Sequence, residues 1–408
     1  MEVEIRTIGR GEEAAFVEAT SAAFGERPSS AELAESAAGL AEETGWMASD
    51  AGRPVGAASL IELRLTVPGC VRVPLAGVSR VGVLPSHRRR GILRRLMALA
   101  LDEARARCSP VAGLVPSEAP IYGRYGFGAA ARVAAIEIET ARARFPEPPA
   151  DGGTLELVDA EHALAELPGL HDAVCSSRSG MVSRPPWRER GRYRDVGREV
   201  DGFRPMLFTV HRDPGGQVDG LLAYRTRLDW GADHVPRGHL KVHELWAADP
   251  KIAASLWRYC LEHDLMTRVT ARWRPVDEAV ADRLIDRRAW GQTLTDGLWL
   301  RPLDPAALLA ARRYGREDGL VLEVHEPEGS APRRFRLDGG LEGATCVPAT
   351  ASPDLRLGVA ALGSICLGDA PVERLHRAGQ IEELTPGAVA RATAMFRWSP
   401  APWPGDIF

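Results

Sequence analysis

The chain has no run of about 18 consecutive apolar residues, so it offers nothing long enough to cross a bilayer as a helix. Its first residues, Met1 to Arg6, alternate charged and apolar side chains and lack the apolar stretch of a signal peptide, so a cytoplasmic protein is expected. Cysteine is sparse. Cys70, Cys108, Cys175, Cys260, Cys346 and Cys366 are scattered, with no C-x-x-C pair and no Cys/His metal spacing. They read as reduced core thiols, and neither a disulfide framework nor a structural zinc organises the fold. A basic excess is also missing. With 51 Lys and Arg against 55 Asp and Glu, the formal charge of −4 argues against a dedicated nucleic-acid binder. No fixed-period repeat is present.

What is present is a globular composition, 45% hydrophobic and 26% charged, over 408 residues, enough for two or three domains. The most informative stretch runs from Val78 to Met97. Val78 to Leu84 reads as a short buried strand, Pro85 to Arg90 as a tight basic turn, and Gly91 as the opening of a helix. From there Leu93, Leu96, Met97, Ala100 and Ala104 recur at steps of three and four, with Arg94, Arg95, Asp102, Glu103 and Arg105 on the other faces. The start of a helix leaves unpaired N–H groups and a partial positive charge. Gly91 lets the backbone approach an anion, and Arg88, Arg89 and Arg90 add charge beside it. The pattern fits a pyrophosphate; a solvated basic loop capping an ordinary helix is the plainer alternative.

Arg88-Arg89-Arg90-Gly91-Ile92-Leu93 resembles the R/Q-x-x-G-x-G/A signature of GNAT N-acetyltransferases, departing at Leu93, where that superfamily has Gly or Ala. The fuller string from His87 to Arg95, with Ser117 to Gly128 downstream, is similar to the Eis (enhanced intracellular survival) branch. The resemblance implies acetyl-CoA as cosubstrate. It implies cofactor contacts from Val81, Gly82, Val83, Arg88, Arg89, Arg90, Gly91, Ile92, Leu93, Arg94 and Ser117, those of the strand being made by backbone. It also implies that Tyr122, in Ile121-Tyr122-Gly123-Arg124, is the general acid for the departing thiolate. A phenol stays protonated at neutral pH and is a better acid than water, so the chemistry is sound. A buried tyrosine satisfied by backbone is the alternative. Tyr125 serves as the control that should matter less.

The implied fold is mixed α/β (α+β): two tandem GNAT-like domains followed by a sterol-carrier-protein-like α/β domain. The expected boundaries are 1–148, 149–292 and 293–408. Phe145 to Gly153 is the clearest linker, rich in turn formers. An edge strand at 2–7 is followed by helices over 15–24 and 29–43, strands at 45–66 and 71–84, and a strand at Val111 to Val115 that should splay from its neighbour. In the second domain, strands at 205–212, 218–228 and 239–247 precede a helix capped by Asp249-Pro250, with neither a glycine nor an arginine cluster. His239, His243 and Glu244 alternate in a strand and read as sheet residues; no metal is expected. In the third domain a helix over Pro305 to Tyr314 precedes strands near 320–326, 333–337 and 343–348 and helices from Asp354, Val372 and Pro386.

The end of the chain, Ser399 to Phe408, carries three prolines, Trp403 and an apolar finish, and would gain by docking Trp403, Ile407 and Phe408. The resemblance implies that the Phe408 α-carboxylate serves as, or assists, the general base for a cationic amine. Glu26 and Asp406, with Glu32 and Glu35, are the expected carboxylates of the amine site. An α-carboxyl has an ordinary pKa of about 3.3–3.7, so it serves as base only if burial raises it or if it mainly positions the ammonium. Polyamine-like molecules such as aminoglycosides are the implied acceptors, with lysines of peptides or proteins second. A homo-oligomer, hexameric by resemblance, is expected, with no nucleic-acid or membrane partner. The rival readings are a non-catalytic acetyl-CoA-binding regulator and a lipid carrier acting through the third domain.

Overall fold

In the computed structural model, which describes every residue except 1, 2, 150, 328 and 330, the first unit comprises β1 (Glu4–Thr7), α1 (Glu13–Ala23), α2 (Ser30–Leu40), β2 (Thr44–Asp50), β3 (Arg53–Val67), β4 (Val71–Val83), α3 (Ile92–Ala106), β5 (Val111–Leu114), α4 (Ala119–Tyr122) and β6 (Gly128–Glu139). Glu2 of the expected edge strand and Ala150 of the expected linker lie outside the described residues. The second unit comprises β7 (Thr154–Val158), α5 (Ala160–Ser177), α6 (Pro186–Arg192), β8 (Leu207–Arg212), β9 (Val218–Arg227), β10 (Gly238–Ala247), α7 (Pro250–Leu261), β11 (Met266–Arg274) and β12 (Gly291–Pro302).

Side-chain alternation fixes how the first unit packs. Ala57 and Met47 join Phe16, Val17 and Leu40 of the first two helices, whereas Ala58, Trp46 and Ala48 join Ile92, Leu96, Met97 and Ala100 of α3. The sheet is thus covered on both faces, and its central strands carry small residues where helices come close. The buried positions of α3 follow the three- and four-residue spacing seen in the sequence. Truncating Leu96 or Met97 to Ala is expected to cost about 2–5 kcal/mol.

The two units share one twelve-stranded sheet, ordered β1-β2-β3-β4-β5-β12-β6-β11-β10-β9-β8-β7. Strand β12 lies between β5 and β6, pairing Trp299 with Leu114 and Leu300 with Gly128. The boundary expected at 292/293 therefore falls inside a strand, and the third unit begins after Pro302. Sequence pattern marks a strand but not its non-local partners, and those partners tie residues 291–302 to the first two units.

The third unit comprises α8 (Pro305–Ala311), β13 (Asp318–His325), β14 (Arg333–Gly340), β15 (Gly343–Pro348), β16 (Leu355–Gly358), α9 (Val359–Ile365), α10 (Val372–Arg377), β17 (Ile381–Glu383) and α11 (Ala388–Phe396). Its sheet order is β15-β14-β13-β16-β17. Two expectations change here. The segment after Asp354 is a strand parallel to β13, not a helix, and Asp354 accepts the N–H of Val321 at 2.8 Å. Helix α8 stops at Ala311, because Arg312 turns inward, fully buried, to donate to the carbonyls of Cys366 and Phe396. The unit docks on the shared sheet at close range: a Cβ at Gly128 would lie 1.9 Å from the Ala360 carbonyl oxygen.

Candidate active site

Strands β4 and β5 run parallel but pair only over Leu75–Val111, Ala76–Ala112 and Gly77–Gly113. Beyond Gly77, β4 continues to Val83 with no partner strand on that side among the described residues. A register shift against β3 between Ala57 and Ser59, with Arg80 at φ +51°, bends β4 away. The Leu84 N–H donates to the Val55 carbonyl of β3 at 2.9 Å. By two-residue alternation, the main-chain groups of Val81 and Val83 then face the open side.

The opening is part of a cavity of about 960 Å³. Val81, Gly82, Val83, Arg88, Arg89, Arg90, Gly91, Ile92, Leu93, Arg94, Ser117 and Tyr122 all line it. Gly91 is the N-cap of α3 at φ +75°, where a side chain would be strained, and it makes no side-chain capping bond. The first N–H groups of a fifteen-residue helix consequently face the cavity with the helix dipole behind them. Arg88 and Arg89 are exposed and have no ion-pair partner among the described residues. Asp50 holds the turn from below, meeting His87 at 3.2 Å and Arg90 at 3.4 Å.

Tyr122 ends α4 and is buried edge-on against Phe127, with ring centroids 6.4 Å apart. Burial raises its hydroxyl above the ordinary phenol value, and a hydrogen bond with Ser117 offsets part of this. The group is therefore a proton donor throughout the neutral range. Tyr125 lines the same cavity, less buried.

The C-terminal segment runs from the second unit to the point where β4 and β5 part. Trp403 is buried against Trp246, with centroids 5.0 Å apart, and donates from Nε1 to the Trp273 carbonyl at 2.8 Å. The Val182 N–H donates to Pro404 at 3.2 Å, and Arg188 donates to the Ile407 carbonyl. The Phe408 ring then packs against Leu63 and Gly77, the last residue of β4 paired with β5. An added Cβ at Gly77 would lie 3.0 Å from that ring. Ile407, expected to dock, is exposed.

The expected amine-site carboxylates are placed differently. Glu26 is exposed after α1 and lines neither this cavity nor its neighbour. Asp406 is buried and shared by Arg184 at 3.1 Å and Arg192 at 3.3 Å, so it anchors the tail. Glu32 and Glu35 each lie 3.8 Å from Arg194. Sequence reasoning missed Asp50, Phe24, Arg80 and Arg188. Of these only Phe24, an aromatic at a helix end that the fold leaves exposed on the cavity rim, had a local signal.

In the second unit, Glu244 accepts from Arg184, Arg192, Tyr193 and Trp246. Burial alone would raise its pKa; Arg184 and Arg192 overcome this and hold it well below the ordinary value. His243 is kept neutral by burial, its pKa lowered to about 4, and His239 meets Thr270 at 2.7 Å. The cavity at one end of the third-unit sheet is lined by Arg316, Glu317, Asp318, Asp338, Leu341, Glu342 and glycines.

A splayed parallel pair feeding a glycine-capped helix beside a buried tyrosine defines an acyl-CoA-dependent acyltransferase of the GNAT class. Residues 4–130 and 180–302 each match an acetyltransferase (GNAT) domain, and residues 305–405 match a sterol carrier protein domain. An uncharacterized N-acetyltransferase of Streptomyces griseus is 39% identical over the whole of both chains. N-acetyltransferase Eis of Mycobacterium tuberculosis is 32% identical over 84% of this chain and 83% of its own. The crystal structure of Eis1 from Mycobacterium abscessus superposes with a TM-score of 0.85 at 30% identity, covering 99% of this chain and all of that one. The chain belongs to the Eis family of GNAT N-acetyltransferases. It is an acyltransferase that uses acetyl-CoA as cosubstrate and an amine as acceptor. Among the described residues no helix is long and apolar enough to cross a membrane.

Proposed function

We propose that the chain transfers the acetyl group directly from acetyl-CoA to a primary amine, with Tyr122 as general acid and the Phe408 α-carboxylate as base or positioning group. The carrying observation is that the open edge of β4, the N-terminus of α3 and Tyr122 share one cavity, while the Phe408 ring sits at the point where β4 and β5 part. In this reading the pyrophosphate lies on the N–H groups of α3 with Arg88 and Arg89, and the pantetheine arm pairs with the main chain of Val81 and Val83. The bound ammonium loses a proton toward the terminal carboxylate, and the free amine attacks the thioester carbon, its further proton leaving as the amide forms. A β4 N–H steadies the oxyanion, the C–S bond breaks, and Tyr122 protonates the thiolate. Polyamine-like acceptors, aminoglycosides among them, and acetylation at several amines in turn belong to this reading, as do a cytoplasmic setting and a homo-oligomer, hexameric by resemblance.

The test is thiol release from acetyl-CoA with aminoglycosides, polyamines and a lysine peptide. Tyr122→Phe should lower kcat about 10²–10⁴-fold, whereas Tyr125→Phe should change it little. One Gly added after Phe408 should cripple turnover as well; full turnover by that variant would remove the carboxylate from the mechanism.

A further inference from the structure

We propose that Glu43 is a positioning residue for acetyl transfer: through Arg80 it holds the bulge of β4 that aims the main chain of Val81 and Val83 at the gap. The inference rests on the transferase reading above and adds to it the group that keeps the cofactor strand bent. Glu43 lies just before β2, and its side chain is wholly buried. Arg80 donates from Nε to both of its carboxylate oxygens, at 3.2 and 3.3 Å. The buried Ser59 hydroxyl of β3 donates to the same carboxylate. Because β2, β3 and β4 are neighbours in the sheet, the three side chains form one polar brace across three strands.

The brace meets β4 at a strained residue. Ala57 faces Gly82 and Ser59 faces Ser79, so Ala58 alone opposes both Arg80 and Val81. That extra residue decides which main-chain groups point to the open side. One residue fewer would turn Gly82 to the gap in place of Val81 and Val83. Arg80 carries the bulge at φ +51°, a conformation unfavourable for any residue with a Cβ. An arginine therefore stands where glycine would need no support. Tied at its far end to a buried carboxylate, the Arg80 side chain holds its own backbone in place. Glu43 in turn resists losing Arg80, since a desolvated carboxylate left unpaired is strongly destabilising. Neither Glu43, Ser59 nor Arg80 lines the cofactor cavity, so their influence on it passes through the backbone.

Two ligands separate this role from a general one. Acetyl-CoA spans the pyrophosphate site and the gap, whereas 3′-phospho-ADP lacks the pantetheine arm and reads the pyrophosphate site alone. Glu43→Gln should weaken acetyl-CoA binding in calorimetry about tenfold, the scale of a hydrogen bond to a charged group. It should lower kcat for thiol release with an amine acceptor and leave the affinity for 3′-phospho-ADP unchanged. Parallel loss of both ligands would make Glu43 a residue of the fold only and overturn the inference, as would unchanged acetyl-CoA affinity. Two double variants then isolate the backbone. Glu43→Gln/Arg80→Gly and Glu43→Gln/Arg80→Ala both remove the brace and its charges, and differ in their tolerance of positive φ. The glycine variant should recover most of the acetyl-CoA affinity and turnover; the alanine variant should not. Because neither double buries an unmatched charge, this comparison carries the test even where Glu43→Gln alone fails to fold. Equal affinity in the two doubles overturns the inference; if both recover, the cause is the Arg80 charge in the cavity between α2 and α6, which Arg80 lines. No thiol from the native chain with any amine removes the transferase reading and leaves the two affinities to decide on Glu43.

Discussion

The two GNAT-like units treat the same architectural position in opposite ways. In each, a strand runs parallel to its neighbour, outlasts the pairing and turns into a helix. Strands β10 and β11 pair from Gly238–Met266 to Val242–Ala271, as β4 and β5 do near Gly77. In the first unit the helix is capped by Gly91, without a side-chain bond, and its N–H groups face a cavity. In the second, Asp249 caps α7 with its own carboxylate, accepting the Lys251 N–H at 2.6 Å. That carboxylate takes the position an anionic ligand would need. The second splay is also filled: the buried Arg274 guanidinium donates to the Leu245 carbonyl at 2.6 Å, and Trp403 lies over it at 5.2 Å. One unit presents the helix end to a ligand; the other closes it with its own side chains and uses the gap to hold the tail.

Copying the second cap into the first unit should break the contrast most severely. Gly91→Asp puts a carboxylate at the helix start, and acetyl-CoA binding measured by calorimetry should weaken a hundredfold or more. Gly91→Asn keeps the shape, tolerates positive φ and carries no charge, so it should lose far less. Equal losses would make backbone strain the cause. Next comes Trp403→Ala, which empties the second splay. By analogy with buried aromatic truncations it should cost about 3–5 kcal/mol in denaturant unfolding. Turnover should fall as well, because the tail that carries Phe408 loses its anchor. The smallest effect belongs to Asp249→Ala: about 1 kcal/mol of stability for the lost cap. It should confer no second acetyl-CoA site, since Arg274 and Trp403 still occupy the gap; a stoichiometry of two per chain would contradict that account.

What the sequence revealed follows the range of the interactions involved. The turn from Arg88 to Gly91, the cap at Asp249 and the motif around Tyr122 are local, written in consecutive residues; Arg88 to Gly91 and Tyr122 line one cavity, and Asp249 caps α7. The partners of the carboxylates expected to meet the amine were not legible. Glu35 and Asp406 look like free carboxylates until Arg194, Arg184 and Arg192, distant in sequence, fold against them. The strand Leu355–Gly358 is too short for its alternation to stand out, and only its pairing with β13 defines it. The partners of β12 are likewise set by the whole sheet.

That last strand has a consequence for how the protein is made. Strands β5 and β6 belong to the first unit, but the place between them is taken by residues 291–302. As the chain leaves the ribosome, β5 waits for one partner strand and β6 for both of its own, β11 and β12, until the end of the second unit is made. Contacts of such long sequence separation close slowly and leave strand edges exposed to aggregation in the meantime. A fragment ending before Gly291 is accordingly a poor choice for isolating the catalytic half, and the two units mature as one.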